Sequence, residues 1–193
     1  MFEANTMKPV DDFSFYQFKG LTKANSIKLK IKGINLQIKI FECDHSLVTI
    51  SYGFSEIRPK LKDEYKGVQG KDLALLKKEG TAITENIEYK RFAYVCDTSI
   101  SVLTNHPEIL DYKPQALVVM IKCTFIFPDE LPNAVNTQHI HWSQLKPYVQ
   151  FHPEINFILF HFSMRYKPQA PDDEINMFFK QENISNLQWW TST

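Results

Sequence analysis

From Ser26 the chain begins to alternate. Ile27, Leu29 and Ile31 take turns with Lys28, Lys30 and Lys32, and after Gly33 the alternation resumes at Ile34, Leu36, Ile38 and Ile40. Period-two patterning on both sides of a glycine predicts two strands joined by a tight turn. A third run, 47–54, is rich in β-branched and aromatic residues and completes a meander. Residues 55–70 are charged and polar, with Pro59, Gly67 and Gly70, and predict a loop or arm. Residues 72–78 predict a short helix stopped at Gly80, and 81–87 have strand character. The runs RFAYVC (91–96), ALVVMI (116–121) and INFILF (155–160) are continuously apolar and predict buried strands. Residues 100–110 predict a helix broken at, or starting from, Pro107. Residues 124–138 predict a Pro- and Asn-rich loop, and 142–150 a helix despite Pro147. A further helix is predicted over 172–181 and a short strand in the tail, whereas 1–25 read as an irregular N-terminal segment. A meander followed by strand–helix alternation predicts one layered α/β (α+β) domain over 1–193.

Composition narrows the picture. The chain has 193 residues, 44% of them hydrophobic, which is enough for a core without disulfides. Lys+Arg and Asp+Glu both number 22, so no global charge argues for nucleic acid, although a local patch remains open. Only 6 glycines occur, and neither GxGxxG nor a Walker loop is present, which disfavours phosphate-cradling nucleotide folds. Cys43, Cys96 and Cys123 are odd in number and scattered, unlike a disulfide framework or a zinc ribbon. They read as small core hydrophobes in a reducing compartment. No apolar run reaches about 18 residues and no secretory leader is visible, so the expectation is an intracellular, cytoplasmic protein without a membrane partner.

Three predicted strands end at a residue able to bind metal. His45 follows the strand that ends near Cys43, Asp97 follows RFAYVC, and His161 follows INFILF. Strand ends are where layered α/β proteins place their chemistry, and two imidazoles with a carboxylate suit zinc or manganese. Each residue has a plainer reading beside this one. A histidine after a strand commonly packs or caps, and Asp97 before Thr98-Ser99 suits a helix N-cap.

Longer words surround these residues. Phe41-Glu42-Cys43-Asp44-His45, followed by Ile50-Ser51-Tyr52-Gly53-Phe54, resembles one motif of the tRNase Z (ribonuclease Z) family, of metallo-β-lactamase fold. Tyr94-Val95-Cys96-Asp97-Thr98 resembles its Gly-Asp-Thr word, and Lys122-Cys123-Thr124-Phe125 its Glu-Cys-Thr-Phe or His-Glu-Ala-Thr word. His139-Ile140-His141-Trp142 resembles its histidine-bearing loop, and His161-Phe162-Ser163-Met164-Arg165-Tyr166 its His-Phe-Ser-x-Arg-Tyr signature. The words fall in family order across about residues 26–190. The resemblance implies a partial αββα sandwich, mainly its second sheet and the helices on it. It implies that His45 and His161 each help bind one of two metal ions (zinc, or manganese) and that Asp97 bridges them. It also implies that His139, or alternatively His141, assists proton transfer, and that the reaction is endonucleolytic hydrolysis at the 3′ side of precursor tRNA. A homodimer is implied as well.

The sequence departs from the family at three places. The early His-x-His-x-Asp-His motif, which supplies ligands to both ions, does not occur in this chain. Lys122 stands where the family has a glutamate, and Cys96 where it has glycine. The expectation is therefore an incomplete domain, inactive by itself unless a complementing chain supplies the rest. The alternative is a degenerate binding or structural module. Residues 55–90 match the region of the family's tRNA-gripping arm, and Lys60, Lys62 and Lys66 are candidates for phosphate contacts there. Asp63, Glu64 and Asp72 interleave with them, which equally suits a solvated surface. Trp142 reads as a core residue and Trp189-Trp190 as a docked tail, although tryptophans also stack on bases.

Overall fold

The computed structural model describes residues 26–110, 117–166 and 174–191. The segment 1–25 and the first residues of the helix expected from 172 lie outside the described residues. Strands β1 (Ser26–Ile31) and β2 (Ile34–Glu42) form the expected hairpin. Ile31 pairs with Ile34, which leaves Lys32 and Gly33 as a two-residue loop with φ of 48° and 85°. Two positive φ values make a type I′ turn, whose twist matches that of the strands.

Strands β3 (Ile50–Leu61) and β4 (Thr84–Val95) are longer than the sequence pattern predicts. Residues 55–61, expected as loop, continue β3, and the two strand segments expected over 81–96 merge into β4. Charged side chains hold this exposed ribbon across its strands: Glu56 accepts from Arg58 and Arg91, and both guanidinium groups lie over the Tyr89 ring. Helix α1 (Gly70–Lys78) caps the ribbon. Gly80, at φ 84°, ends it in a Schellman arrangement, with Gly80 N–H donating to Lys77 O and Thr81 N–H to Leu76 O.

The second half follows the predicted alternation. After β4 come α2 (Ser101–Asn105), β5 (Leu117–Lys122), α3 (Leu131–Asn136), α4 (Trp142–Phe151), β6 (Ile155–Phe160), α5 (Glu174–Glu182) and β7 (Leu187–Trp189). Helix α3 and a 3₁₀ turn over Pro128–Glu130 occupy the segment expected as loop. Pro132 lies in the first turn of α3, where the missing N–H costs nothing. The seven strands of the described residues form one sheet in sequence order, antiparallel from β1 to β4 and parallel from β4 to β7. This is the mixed, layered α+β arrangement that the alternation predicts.

Strand alternation divides the sheet into two unlike faces. Ala93, Val95, Val119, Ile121, Phe157 and Leu159 are buried in one core with Val102 and Leu103 of α2, Leu145 and Val149 of α4, and Phe179 of α5. The opposite face carries Tyr52, Phe54, Phe92, Tyr94, Met120, Ile158 and Phe160, all partly exposed. Rings pack along it, Phe54 on Phe92 at 5.7 Å and Tyr94 on Phe160 at 5.3 Å.

Two substitutions separate backbone from core contributions. A Cβ at Gly33 meets nothing within 4 Å, so Gly33→Ala pays only for its left-handed φ, about 1 kcal/mol. Phe157 is fully buried, and Phe157→Ala removes about 3–5 kcal/mol. Urea unfolding of both variants checks the contrast.

Candidate functional site

Strand direction assembles the site. β2 is antiparallel to β3, and β3 to β4, so β2 runs with β4, β5, β6 and β7. The carboxyl ends of these five strands therefore lie along one edge. His45 follows β2, Asp97 follows β4, Lys122 ends β5, His161 follows β6, and Trp190 follows β7. His139 arrives from the turn between α3 and α4. That turn is laid on the edge by Thr124 N–H donating to Ile140 O and Trp142 N–H donating to Phe125 O.

Asp44 ties three of these segments together. Its Oδ2 accepts from Ser99 Oγ (2.7 Å) and Ser101 Oγ (3.1 Å), and its Oδ1 from Gln138 Nε2 (3.1 Å). Its backbone carbonyl accepts from Ser99 N–H, and its own N–H donates to Thr98 Oγ1. One residue thus fixes the neighbours of His45, Asp97 and His139 relative to one another. The sequence reading assigned Asp44 no role, because its partners lie 54 to 94 positions away.

Asp97 is the electrostatic centre. Lys122 Nζ donates to its Oδ2 at 2.7 Å, with both side chains largely shielded from solvent. His139 Nε2 lies 3.8 Å and His161 Nδ1 3.9 Å from Oδ1. His45 meets His139 edge to face, ring centroids 5.0 Å apart. Burial raises the Asp97 pKa; the hydrogen bond and charge of Lys122, helped by His161 and His139, outweigh it and hold the carboxyl below its usual range. Asp97 Oδ1 and His45 Nδ1 are buried without a hydrogen-bond partner. His161 adopts φ 61°, an uncommon conformation for a residue with a Cβ, and Gln138 one of 55°. Flanking backbone bonds, Cys123 N–H to Phe160 O and Ser163 N–H to Thr124 O, hold the strained turn in place.

The two histidines of the loop separate cleanly. His141 is 1% exposed and caps α4. Its Nδ1 accepts from Ser143 N–H, and its Nε2 lies 2.8 Å from Phe127 O. Both nitrogens are engaged away from Asp97, so of the two only His139 faces the carboxylate. Cys43 and Cys123 are core groups, whereas Cys96, expected with them, is only half-buried; burial raises the pKa values of all three, with hydrogen bonds opposing it at Cys43. The ribbon lysines lie elsewhere. Lys60, Lys62 and Lys66 sit at the far end of β3 and β4, about 36 Å from Val95 by strand rise. Lys62 pairs with Glu64 and Lys66 with Asp63.

A zinc or manganese ion fits this donor set poorly. One carboxylate oxygen of Asp97 already holds an ammonium, which competes with a metal cation for the same charge. Among the described residues, no group of three or more metal-binding side chains is arranged to hold an ion.

Comparison with known proteins gives a distant relationship. No family model matches the sequence. The chain is 27% identical over 143 residues to tRNase Z TRZ1 of Arabidopsis thaliana, which covers 74% of this chain and 50% of that protein. It is 27% identical over 135 residues to the chloroplastic tRNase Z TRZ2 of the same plant, covering 68% of this chain and 37% of that one. These matches support a tRNase Z-like relationship. The chain spans half or less of the length of these curated relatives. No helix among the described residues is long and apolar enough to cross a membrane.

Lys122→Met isolates the ion pair. Removing the ammonium leaves burial less opposed, so the Asp97 carboxyl titrates higher than in the unaltered protein, as a carbon-detected NMR titration will read. Linkage has a definite sign. The Asp97 pKa is depressed in the fold, so its stabilisation is complete above the unfolded value of about 3.9 and is lost as pH falls through the folded value.

Proposed function

We propose that this chain is a tRNase Z-like protein that binds precursor tRNA and, by itself, does not cut it. The tRNase Z-like relationship supplies the substrate class, and the metallo-β-lactamase fold comes with the same resemblance. The observation that carries the loss of cleavage is Lys122 Nζ at 2.7 Å from Asp97 Oδ2. An aspartate in the position of a metal bridge must lend its negative charge to two cations at once, through one oxygen or both. Here one oxygen is satisfied by the protein's own ammonium, which also repels a second cation from the same spot. Binding would rest on the β3–β4 ribbon, whose lysines Lys60, Lys62 and Lys66 remain the candidates for phosphate contacts.

A second reading is a tRNase Z-like hydrolase completed by a homodimer partner or a complementing chain. It is favoured by the unpartnered Asp97 Oδ1 and His45 Nδ1, which leave acceptor and donor capacity at the site. The partly exposed ring row from Tyr52 to Phe160 offers such a chain an apolar seat.

Incubation of the purified chain with precursor tRNA and zinc or manganese distinguishes the first reading from the homodimer form of the second. The expected result is salt-sensitive binding, weakened about tenfold by the Lys60/Lys62/Lys66 triple alanine variant, with no 3′ product. Cleavage at the 3′ side that disappears in Asp97→Ala would establish the hydrolase instead.

A further inference from the structure

An edge strand presents a row of unpaired backbone groups, a template for one more strand. Among the described residues β1 is such an edge. It pairs with β2 alone, through six consecutive residue pairs without a bulge, whereas β7 at the other edge has three residues. The two-residue turn makes Ile31–Ile34 a hydrogen-bonded pair, and such pairs alternate with non-bonded ones along an antiparallel ladder. Ile27, Leu29 and Ile31 therefore direct their N–H and C=O groups at β2. Lys28 and Lys30 direct theirs outward, away from the sheet.

Side chains divide by the same alternation. Lys28 and Lys30 stand ~6.8 Å apart on one face, both exposed, and border an open groove of about 550 Å³ that Asn35 and Gln37 also line. Neither lysine has an ion-pair partner among the described residues. The acid of the groove, Glu88, is already engaged: it accepts from Ser55 Oγ at 2.7 Å and lies 3.8 Å from Lys39. On the other face Leu29 is 41% and Ile31 51% exposed. A strand added to this edge thus meets cations with one set of alternate side chains and apolar groups with the other. A second copy of β1 fits badly. Antiparallel pairing in register opposes lysine to lysine, and a slip of one residue opposes lysine to isoleucine or leucine. A phosphate backbone would match the lysines but leave the outward N–H and C=O groups and the two apolar side chains unmatched. We propose that β1 receives an extended peptide of alternating acidic and apolar residues from a partner protein, with its acids opposite Lys28 and Lys30. The inference goes beyond both readings of function and rests on neither.

The probe is a terminally blocked octapeptide that alternates glutamate with valine, titrated into the full chain and followed by amide hydrogen exchange and by anisotropy of a labelled form. The expected result is binding that protects the Lys28 and Lys30 N–H groups and leaves those of Ile27 and Leu29, already held by β2, unchanged. The Lys28→Glu/Lys30→Glu variant should bind this peptide about tenfold or more weakly. It should gain affinity for a lysine–valine peptide, which the unaltered protein ignores. Both lysines are exposed, so circular dichroism of the variant should match that of the unaltered protein. N-methylation of the peptide at its glutamates, whose amides face β1, should abolish binding, and N-methylation at its valines should preserve it. Absence of binding, equal binding of the two peptides by the unaltered protein, or indifference to N-methylation would each overturn the inference. So would a single-stranded oligoribonucleotide that occupies the two lysines more tightly than the peptide, or protection of the same amides by self-association of the chain alone.

Discussion

Five strands that run in one direction and end at one edge determine where His45, Asp97, Lys122 and His161 sit. The parallel half of the sheet sets that direction, and the antiparallel meander carries it back so that β2 joins it. Helices bury one sheet face, so strand alternation sends every second side chain to the other. Ile121 and Leu159 go inward with no exposed surface, and Lys122 and Phe160 consequently face the other way, at the strand ends. The burial of one hydrophobic face thus decides which residue of each strand end reaches the site.

Within that edge, charge balance follows from the burial of Asp97. A carboxylate partly removed from water must find a cation or take up a proton. Lys122 meets the need at 2.7 Å, and two imidazoles stand a little farther off. The same demand elsewhere would be met by a metal ion. An internal ammonium gives a site that is electrostatically complete without one, except for the orphaned Oδ1. Asp44 then does for position what Lys122 does for charge, since its hydrogen bonds lock the turns that carry His45, Asp97 and His139.

Much of this was legible in the sequence where burial makes a pattern. INFILF marks β6 to the residue, and the alternation around Gly33 marks the first hairpin, because one face of each is tied to apolar contacts or to turn chemistry. The convergence of His45, Asp97 and His161 was readable only as a guess from strand ends and motif words. Direction and register, which no local pattern encodes, bring the three together. Residues 55–61 were misread because an exposed ribbon is held by ion pairs and rings rather than by an apolar face. Helix α3 hid behind Pro132, Asn133 and Asn136, residues that suit loops but are tolerated in a helix as short as six residues. The choice between His139 and His141 also needed coordinates, since alternation would put positions two apart on the same side, and only the folded turn sends them different ways. Ser143 and Phe127, which hold His141, mark it as a capping residue only once the loop is folded.

The separation of the ribbon from the strand-end site makes the two electrostatically independent. The lysines near Leu61 and the carboxylate after Val95 lie about 36 Å apart along β4, several Debye lengths at physiological salt. A charge reversal at position 122 therefore leaves the field around the ribbon unaltered. Conversely, pairing of Lys62 and Lys66 with Glu64 and Asp63 lowers the net positive charge of the ribbon without touching Asp97. Stability does not couple the two ends strongly either. The ribbon's residues are mostly exposed, whereas the site stands on strands whose inward side chains form the main core. The ribbon and the strand-end site thus occupy physically independent parts of one sheet, and a substitution in one imposes no direct penalty on the other.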